Sequence, residues 1–572
     1  MLAAFTHADL IAEVTAAGAL CDARVLDPPP LSGIWIEGAA TVEGQEVRLQ
    51  AGIVAAEATR PPVVRLVPWD ALGHIPHVGT NGVVCYRGSE GLVIDRRRPG
   101  AVMAWALDES VRVLGEGVRG ENAFDFVNEF EAFWSRLTGS KVALNLLDPA
   151  STSGEVVVVE MGKLEFTASS AKDVAAFLRH RDVGSHVIRR ATFVAFTEGT
   201  FLTPPRADRP FWTAADLREV VRPALDMLPA KRRRRLLDGH FPRRGIIVLA
   251  LPRPTPGVAL FGVGYDGGNG RNPLAPDGGS PRLYPVQFMR LERSYLVPRG
   301  GGNADLAAKR ALVVGCGAVG GHVAHELVRA GVLGVVLVDH DDFSGDNAFR
   351  HVLGFRLDGK KATVLRDDIR TRYPYVRIEA VEMQIEAAVG RGLVDLAEFD
   401  VVVVATGDPT TEMWLNERQH QIEGAPPTVF SWVEPYGIGG HAVLVRFGHA
   451  GCLECLYTWA DPENGLRNKA AFAAPGQNFA RALSGCGTLH TPYGSLDASR
   501  TANLAVRLAL DALTGREAGT ALRSWKGTPW DFERAGFRLS DRYGTAEETL
   551  NKAGRVFAET LCPICGAGNT GA

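Results

Sequence analysis

The chain has 572 residues, of which 46% are hydrophobic and 22% are charged, and its formal net charge is -3. This balance is typical of globular protein and gives no overall bias toward nucleic acid or a membrane surface. The length favours about two to four domains. No apolar stretch reaches the roughly 20 residues of a membrane-spanning helix, and the N-terminus lacks the basic segment of a signal peptide. We therefore expect a cytoplasmic protein with no membrane partner.

Residues 1–140 contain an amphipathic helix, alternating apolar and polar segments and two later helical stretches, which predict a compact α+β domain. The stretch GHIPHVGTNGVVCYRG carries Pro76, His77, Asn81 and Cys85. It resembles the active-site segment of ubiquitin-conjugating enzymes, in which His-Pro-Asn precedes Asn-Gly and the acceptor cysteine. The resemblance implies that Cys85 carries an acyl group as a thioester. His77 stands where that family has its oxyanion-binding asparagine, and an imidazole N–H can supply the same hydrogen bond.

Residues 141–285 mix strands with short helices and predict a middle α+β domain. The apolar runs KVALNLL, EVVVVEM and GIIVLALP predict strands. The basic run at 231–235 predicts a solvated helix face, and we expect no nucleic-acid partner. The Gly- and Pro-rich passage at 262–285 predicts a linker or a long loop.

From about residue 286 onward, strands and helices alternate as in a doubly wound parallel sheet. Gly315, Gly317 and Gly320 lie between a strand and a helix with the spacing of a phosphate-binding loop. Asp339 ends the next strand, where an acid can bind ribose hydroxyls. Taken alone, this pattern indicates a dinucleotide-dependent oxidoreductase.

The residues after Asp339 argue against hydride transfer. Arg350 and Lys361 supply the cations that the β- and γ-phosphates of a nucleoside triphosphate need. A later strand, FDVVVVATGD, ends in Asp408, where a carboxylate can hold Mg²⁺ against those phosphates. Together these residues predict a site that uses ATP and Mg²⁺ to activate a carboxylate as an acyl-adenylate.

The order of these residues resembles the ThiF, MoeB and ubiquitin-activating enzyme family. The matching positions are Asp339, Asp341, Asn347, Arg350, Lys361 and Asp408. The resemblance implies a Rossmann-like adenylation domain over residues 286–572, with all six positions in the nucleotide site. The segment RLERSY resembles the family's Arg-x-x-Arg, which implies that Arg293 reaches the nucleotide site of a second subunit in a homodimer.

Two Cys-x-x-Cys pairs near the end of the chain predict a metal site. Cys452 and Cys455 form one pair, and Cys562 and Cys565 form the other. Two such pairs make a closed Cys₄ tetrahedron, which is typical of structural zinc. A redox-active pair is the alternative.

Cys486 lies between two glycines and shortly before a long predicted helix. This setting lowers a thiol pKa and leaves room for a bulky acyl group. The segment resembles the catalytic loop of bacterial activating enzymes, which implies that Cys486 takes the acyl group from the adenylate. Cys21 and Cys316 are interpreted as structural cysteines, with Cys21 in the core.

The whole chain, an α/β and α+β multidomain protein, resembles the fusion proteins of bacterial antiphage operons of the CBASS type. The resemblance implies that the C-terminus of a cGAS-like nucleotidyltransferase is adenylated, transferred to Cys486 and then to Cys85, and joined to a target lysine. One alternative is the conjugation of a bacterial ubiquitin-like protein. Another is sulfur-carrier activation of the thiamine or molybdopterin type, which needs no thiol at position 85. A non-catalytic scaffold is a third.

Overall fold

The computed structural model describes residues 6–54, 59–88, 90–178, 185–206, 208–356, 358–458, 467–482, 489–553 and 557–566. The chain divides into two compact units. The first comprises Met1–Ala175 and Asp182–Glu292, and the second comprises Ala176–Arg181 and Arg293–Ala572. Within the described residues, no helix combines the length and apolar composition needed to cross a membrane.

A four-stranded antiparallel sheet opens the first unit. Its strands, in spatial order, are β1 (Cys21–Val25), β2 (Ile34–Val42), β3 (Gln45–Ile53) and β4 (Val63–Val67). It packs against α1 (His7–Ala16) and α2 (Pro99–Arg119) around a common apolar core. The predicted α+β arrangement is therefore present, and the loop between β4 and α2 carries Cys85, which is exposed.

Cys21 is exposed, so the prediction of a core position is wrong. Helix α1 ends at Ala16, and Cys21 instead begins an outer strand of the sheet. A residue on an edge strand can face solvent even within an apolar stretch of sequence, and the sequence alone does not reveal which strand lies at the edge.

A closed seven-stranded barrel forms the remainder of the first unit. Two short helices, α3 (Asp125–Asn128) and α4 (Phe130–Ser135), precede it. Its strands in chain order are β5 (Lys141–Asn145), β6 (Gly154–Met161), β7 (Leu164–Ala168), β8 (Val187–Ala195), β9 (Arg244–Pro252), β10 (Val258–Asp266) and β11 (Arg282–Arg290). The accompanying helices are α5 (Ala171–Phe177), α6 (Ala214–Asp226) and α7 (Ala230–Leu237).

Strand β9 is apolar at successive positions because both of its faces are buried. Ile246 and Val248 belong to one apolar cluster, whereas Ile247 and Leu249 belong to a second cluster that includes residues of α4 and α6. A strand covered on both faces needs apolar residues at every position. The passage at 262–285 is not simply a linker, because its two ends are the paired strands β10 and β11.

A seven-stranded, mostly parallel sheet organises the second unit. Its spatial order is β14 (Arg377–Val381), β13 (Gly334–Val338), β12 (Arg310–Val314), β15 (Val401–Val404), β16 (Thr428–Val433), β17 (Gly439–Val445) and β22 (Ala521–Lys526). The short strands are β18 (Tyr457–Thr458), β19 (Arg467–Asn468), β20 (Arg481–Ala482) and β21 (Leu489–His490). Strands β14 to β16 pair in parallel, whereas β17 and β22 are antiparallel.

Helices cover both faces of this sheet. The helices of the second unit, some of which form these layers, are α8 (Arg293–Arg299), α9 (Ala318–Arg329), α10 (Lys361–Arg372), α11 (Ile385–Gly390), α12 (Pro409–His420), α13 (Ser495–Leu513), α14 (Trp530–Arg534) and α15 (Glu547–Ala553). Residues of α9, α10 and α13 share one apolar cluster, and residues of α11 and α12 share the other. This is the predicted Rossmann-like layer arrangement, and its chain order reverses between β12 and β15. Ligands of such sheets bind in the crevice at that reversal, beyond the carboxyl ends of the strands.

Candidate functional site

A tight glycine turn joins β12 to α9. Gly315 has a φ of 89°, and a side-chain Cβ there would lie 2.7 Å from the Ala405 carbonyl oxygen. A Cβ on Gly320 would lie 1.8 Å from the Gly315 carbonyl oxygen, so the helix can pack this closely only without a side chain. A Cβ on Gly317 would meet no atom within 4 Å. The turn is thus closed toward the neighbouring strand and open above the N-terminus of α9, where a phosphate fits.

Asp339 fixes the turn to the end of β13. Its Oδ2 accepts a hydrogen bond from the Cys316 backbone N–H at 2.6 Å, and its Oδ1 accepts one from the Asp341 N–H at 2.8 Å. Cys316 is fully buried, which raises the pKa of its thiol and agrees with a structural role. Asp339 therefore orients the glycine turn, and its role toward ribose stays a prediction.

The turn opens into a cleft at the carboxyl ends of the strands, here called the strand-end cleft. Its lining includes Gly315, Gly317, Asp339, Asp341, Lys361, Glu386, Thr406, Asp408 and Thr411. The structure thus brings together six of the nucleotide-site residues predicted from the sequence. Gly320, the third glycine of the turn, does not line the cleft but lies beneath the turn, where it packs against Gly315.

An ion pair occupies one side of the strand-end cleft. Lys361, the first residue of α10, lies with its Nζ 2.6 Å from Asp341 Oδ2, and His340 Nε2 is 3.3 Å from Asp341 Oδ1. Burial raises the pKa of Asp341, but the hydrogen bond and the positive charge of Lys361 outweigh it and leave that pKa below its ordinary value. A triphosphate in the cleft would compete with Asp341 for the lysine.

Asn347 and Arg350 form a pair on the segment between β13 and α10. Arg350 Nη2 donates to Asn347 Oδ1 at 3.1 Å, and the guanidinium carbon lies 5.1 Å from the centre of the Tyr493 ring. The ring holds the guanidinium by a cation–π contact. Both side chains lie on the segment that connects Asp341 to Lys361 but outside the lining of the strand-end cleft.

Asp408 is the N-cap residue of α12. Its Oδ1 accepts from the Thr410 N–H at 3.1 Å, and its Oδ2 lies 2.9 Å from the Thr411 hydroxyl, which is also 2.8 Å from Glu386 Oε1. Capping accounts for part of its geometry. Because the carboxylate is exposed and lines the strand-end cleft, it also remains available to a metal ion.

Glu412, which sequence reasoning missed, lies beneath the loop that carries Asp408. It is 2% exposed, and its Oε1 accepts from the Thr406 hydroxyl at 2.9 Å and from the Gly407 N–H at 3.2 Å. Burial, together with the charge of Asp408, raises the pKa of Glu412 to about 8 although those hydrogen bonds lower it. Its position one helical turn after Asp408 is the signal that would have pointed to it.

A separate candidate site, around the exposed thiol of Cys85, lies in the first unit. The Cys85 N–H donates to the His77 carbonyl oxygen at 2.8 Å, and the Val83 N–H donates to Asn81 Oδ1 at 3.2 Å. A Cβ on Gly82, whose φ is 79°, would lie 2.4 Å from the Leu66 carbonyl oxygen. The Asn-Gly turn is thus pressed against β4 and presents Cys85 beside His77.

His77 is held between two carboxylates. Its Nε2 lies 3.0 Å from Asp125 Oδ2, and its Nδ1 lies 3.4 Å from Glu129 Oε1. The Cys85 side chain, followed by the carboxylates of Glu129 and Asp125, raises the pKa of His77 to about 10 against the opposing effect of burial. Sequence reasoning missed both acids, although their four-residue spacing in a helical stretch was visible.

The roles of two other predicted residues, Cys486 and Arg293, stay predictions for different reasons. Cys486 lies outside the described residues, so its role stays a prediction. Arg293 is the exposed first residue of α8, and its role toward a second subunit also stays a prediction. The preceding arginine of the motif, Arg290, belongs to β11 and pairs with buried Glu292 at 2.6 Å.

The four predicted cysteine ligands form a cluster. The Sγ atoms of Cys452 and Cys562 are 3.6 Å apart and those of Cys455 and Cys565 are 3.4 Å apart, with all four within 4.8 Å of one another. Four thiolates at about 2.3 Å from a zinc ion would be separated by nearly these distances. The cluster lies in the apolar layer that includes residues of α12. Donor type, spacing and burial therefore fit a structural tetrahedral metal.

Comparison with known families agrees with this geometry. Residues 291–523 match the ThiF family, and residues 34–143 match the Prokaryotic E2 family B. The chain is a fusion of an E2-like domain and a ThiF-type domain. The predicted enzyme class, an adenylating enzyme of E1-E2-like type, is confirmed for this fusion.

Two curated relatives share most of the fusion's length. The ATP-dependent ubiquitin transferase-like protein Cap2 of Pseudomonas aeruginosa (strain BWHPSA011 / Pa011) is 25% identical over 480 residues, covering 79% of this chain and 83% of the relative. The protein of the same name from Vibrio cholerae serotype O1 is 26% identical over 450 residues, covering 71% of this chain and 74% of the relative. A solved structure of E. coli MccB with MccA-N7isoASN is 16% identical, covers 47% of this chain and 69% of that chain, and has a TM-score of 0.32.

The buried carboxyl of Glu412 predicts a measurable pH dependence. The folded chain holds this proton up to about pH 8, whereas the unfolded chain releases it above its ordinary pKa of 4.5. Stability must therefore fall as the pH rises from 4.5 through 8. We expect the melting temperature of Glu412→Gln to fall less between pH 5.5 and 8 than that of the unmodified chain, by a few degrees.

Differential scanning calorimetry at both pH values measures this difference. Glu398→Gln is the matched control, because Glu398 is exposed and pairs only at the surface with Arg310. Identical pH dependence in Glu412→Gln and the unmodified chain would show that Glu412 is ionised in the folded state at neutral pH.

Proposed function

We propose that this enzyme adenylates the C-terminal carboxylate of a partner protein with ATP and Mg²⁺ and then moves the acyl group through Cys486 and Cys85 to a target amine. The observation that carries the proposal is the strand-end cleft, where the glycine turn, two acids after β13, Lys361 and the exposed Asp408 converge. An exposed Cys85 beside His77 in the same chain supports the transfer steps.

In the first step, a carboxylate oxygen of the partner attacks the α-phosphorus of ATP, and pyrophosphate leaves. The open turn above α9 binds phosphate, and Asp339 is placed to bind ribose. Lys361 exchanges Asp341 for phosphate oxygens, while Asp408 would hold Mg²⁺, which neutralises the leaving pyrophosphate. In the proposed homodimer, Arg293 of the second subunit adds a further cation.

Asn347 and Arg350 complete the proposed adenylation site. They lie on the segment between Asp341 and Lys361, so a movement of that segment onto the nucleotide would bring both toward the phosphates. Because Arg350 is held by the Tyr493 ring and by Asn347, the guanidinium is already oriented before ATP binds.

In the second step, the Cys486 thiolate displaces AMP and forms a thioester. The Cys85 thiolate then attacks that thioester, and the C–S bond to Cys486 breaks. Finally, a target amine attacks the thioester on Cys85, which forms the amide or isopeptide bond and releases the Cys85 thiolate. Two carriers in one chain raise the effective concentration of the second thiol to roughly millimolar where the linkage spans the sites.

For the partner, we propose the C-terminus of a cGAS-like nucleotidyltransferase in an antiphage operon, joined to a lysine of a target protein in the cytoplasm. The two relatives named ATP-dependent ubiquitin transferase-like protein support conjugation as the outcome. The E2-like match, which includes Cys85, favours conjugation over sulfur-carrier activation, because sulfur transfer needs no such domain. A bacterial ubiquitin-like protein is the alternative partner.

We further propose that Cys452, Cys455, Cys562 and Cys565 hold a structural Zn²⁺. Their cluster joins the segment after β17 to the last described residues of the chain. Such a closed site contributes stability and leaves no coordination position for substrate.

Replacing one ligand tests the zinc proposal. In Cys562→Ser, we expect zinc content, measured by inductively coupled plasma mass spectrometry, to fall from about one ion per chain toward zero, with a lower melting temperature. Cys316→Ser is the control, because Cys316 is a buried cysteine outside the cluster. An unchanged zinc content in Cys562→Ser would contradict the ligand assignment.

Asp408→Asn tests the adenylation site without removing the helix cap, because asparagine is also a good N-cap residue. We expect partner-dependent exchange of pyrophosphate into ATP to fall on the order of 10²-fold or more, since the metal ligand loses its charge. Asp395→Asn is the matched control, because Asp395 caps a short 3₁₀-helix outside the strand-end cleft.

The assay should be run with the C-terminal segments of both candidate partners, a cGAS-like nucleotidyltransferase and a β-grasp protein that ends in glycine. Normal exchange by Asp408→Asn would contradict the assignment. Absence of exchange by the unmodified chain with every such tail would contradict the proposed function.

Single cysteine variants test the order of transfer. We expect Cys486→Ala to form adenylate but no thioester, and Cys85→Ala to accumulate a thioester on Cys486 and form no product. Intact mass spectrometry under nonreducing conditions distinguishes the two states. Cys21→Ala is the control, because Cys21 is another exposed cysteine of the same domain. Product formation by Cys85→Ala at the normal rate would contradict the relay.

A further inference from the structure

The surroundings of His77 connect the Cys85 site to the barrel. The titratable groups that the described residues place against His77 are Cys85 in its own loop, Asp125 in α3 and Glu129 at the junction of α3 and α4. With Nε2 on one acid and Nδ1 facing the other, both ring nitrogens face acceptors. An imidazole with an acceptor at each nitrogen is stabilised in its doubly protonated form.

Asp125 is in turn held by a chain of hydrogen bonds that reaches the barrel. Asn128 Nδ2 donates to Asp125 Oδ1 at 3.0 Å, which leaves Oδ2 for His77. Asn128 Oδ1 accepts from the Thr255 hydroxyl at 3.0 Å, and Thr255 lies in the loop between β9 and β10. Each partner in this series is thus positioned by the next, from the barrel loop to the imidazole.

Helix α4 is anchored to the barrel by charged and polar contacts. Glu131 accepts from Arg253 Nη2 at 2.6 Å and from the Leu260 N–H at 2.6 Å. The indole N–H of Trp134 is 3.1 Å from the Gly262 carbonyl oxygen and 3.0 Å from that of Val286. Trp134 is almost completely buried. These contacts fix the helix that follows Glu129 directly.

We propose that Asp125 and Glu129, held in place by the barrel, keep His77 as an imidazolium whose positive charge lies beside the Cys85 sulfur, so that the barrel completes the conjugating site. This inference rests on the proposed role of Cys85 as the thioester carrier. Asp125 and Glu129 are positioning residues, and His77 is the charged group beside the reacting sulfur.

The consequence for the last transfer step is specific. When the target amine attacks the thioester, the C–N bond forms, the C–S bond breaks and the electron pair stays on the Cys85 sulfur. The positive charge of the His77 imidazolium stabilises this leaving thiolate. Because His77 already carries its proton, it is not the base in this step, and the proton of the attacking amine leaves to water.

The charge state of His77 can be measured without ATP or partner. In the full-length chain, ¹³C-detected titration of the histidine rings follows all 14 histidines, and His77→Gln identifies the signal of His77. We expect its pKa to lie near 10 in the unmodified chain and to be clearly lower in Asp125→Asn/Glu129→Gln, where the Cys85 side chain still opposes the effect of burial. Glu121→Gln is the matched control, since Glu121 lies on the same segment but pairs with Arg119.

Alkylation of Cys85 by iodoacetamide, quantified by peptide mass spectrometry, reports the effect on the sulfur. At pH 8 the double variant should react up to about tenfold more slowly than the unmodified chain, because a larger fraction of its imidazole is then neutral. At pH 5.5, where the imidazole is protonated in both proteins, the rates should converge. A merely structural loss would lower the rate equally at both pH values.

The barrel's part is tested by Arg253→Gln, which breaks the ion pair with Glu131, and by the milder Thr255→Val, which removes only the hydroxyl that donates to Asn128. Each should lower the pKa of His77 part of the way. The melting curve of each variant shows whether it is folded. If Arg253→Gln does not fold, the pKa of His77 in Thr255→Val alone tests the role of the barrel.

A pKa of His77 below 7 in the unmodified chain would overturn the proposal, as would a ratio of alkylation rates that is the same at both pH values. An unchanged pKa in folded Thr255→Val and Arg253→Gln would overturn the barrel's part in it. Because neither measurement needs a thioester, the expected results together with no thioester on Cys85 would instead overturn the proposed function.

Discussion

Parallel strands end on the same side of a sheet, and in the second unit this constraint places β12, β13 and β15 around one crevice. The glycine turn follows β12, the two acids follow β13, and Asp408 lies shortly after β15. The turn can take its place only because Gly315 and Gly320 bring backbone against backbone without side chains. Every role proposed for the adenylation step depends on this convergence.

Burial leaves a neutral side chain at one candidate site and a charged side chain at the other. Glu412 is buried beneath the loop that carries Asp408, and its hydrogen-bond partners among the described residues are two neutral donors, so the neutral acid is favoured. His77 is also half-buried, but two carboxylates and the Cys85 side chain overcome the cost of burying its charge. The difference follows from the partners, because desolvation disfavours the charged form in both cases and only opposite charge reverses it.

The barrel explains how a small exposed thiol site can hold a fixed geometry. The loop that carries Cys85 has an Asn-Gly turn and contributes Val78, Val84 and Tyr86 to the apolar core of the antiparallel sheet and its helices. Helix α4 adds support from the other side, because its Phe130 and Trp134 lie in the barrel's apolar cluster. The cysteine cluster has the same relation to the second unit, where it joins distant parts of the chain within an apolar layer.

Local patterns in the sequence predicted much of this architecture. Alternation and apolar runs predicted the strands β2, β3, β5, β6 and β9, because pleat geometry and burial are written directly into residue order. The glycine spacing, Asp339, Lys361 and Asp408 were also readable, since each lies at a fixed offset from a strand end. The same holds for Cys85 and the four clustered cysteines, which occur as short motifs.

What the sequence could not determine are contacts between residues far apart in the chain. The Gly- and Pro-rich passage looks like a linker, and only barrel closure makes its ends paired strands. Cys21 looks apolar in context, and only its place on an outer strand exposes it. The sequence by itself determined which chemical groups are present and which strand ends carry them. The tertiary structure decided which acids surround His77 and which carboxyl is buried beneath Asp408, because charge state depends on neighbours and burial that no local pattern records.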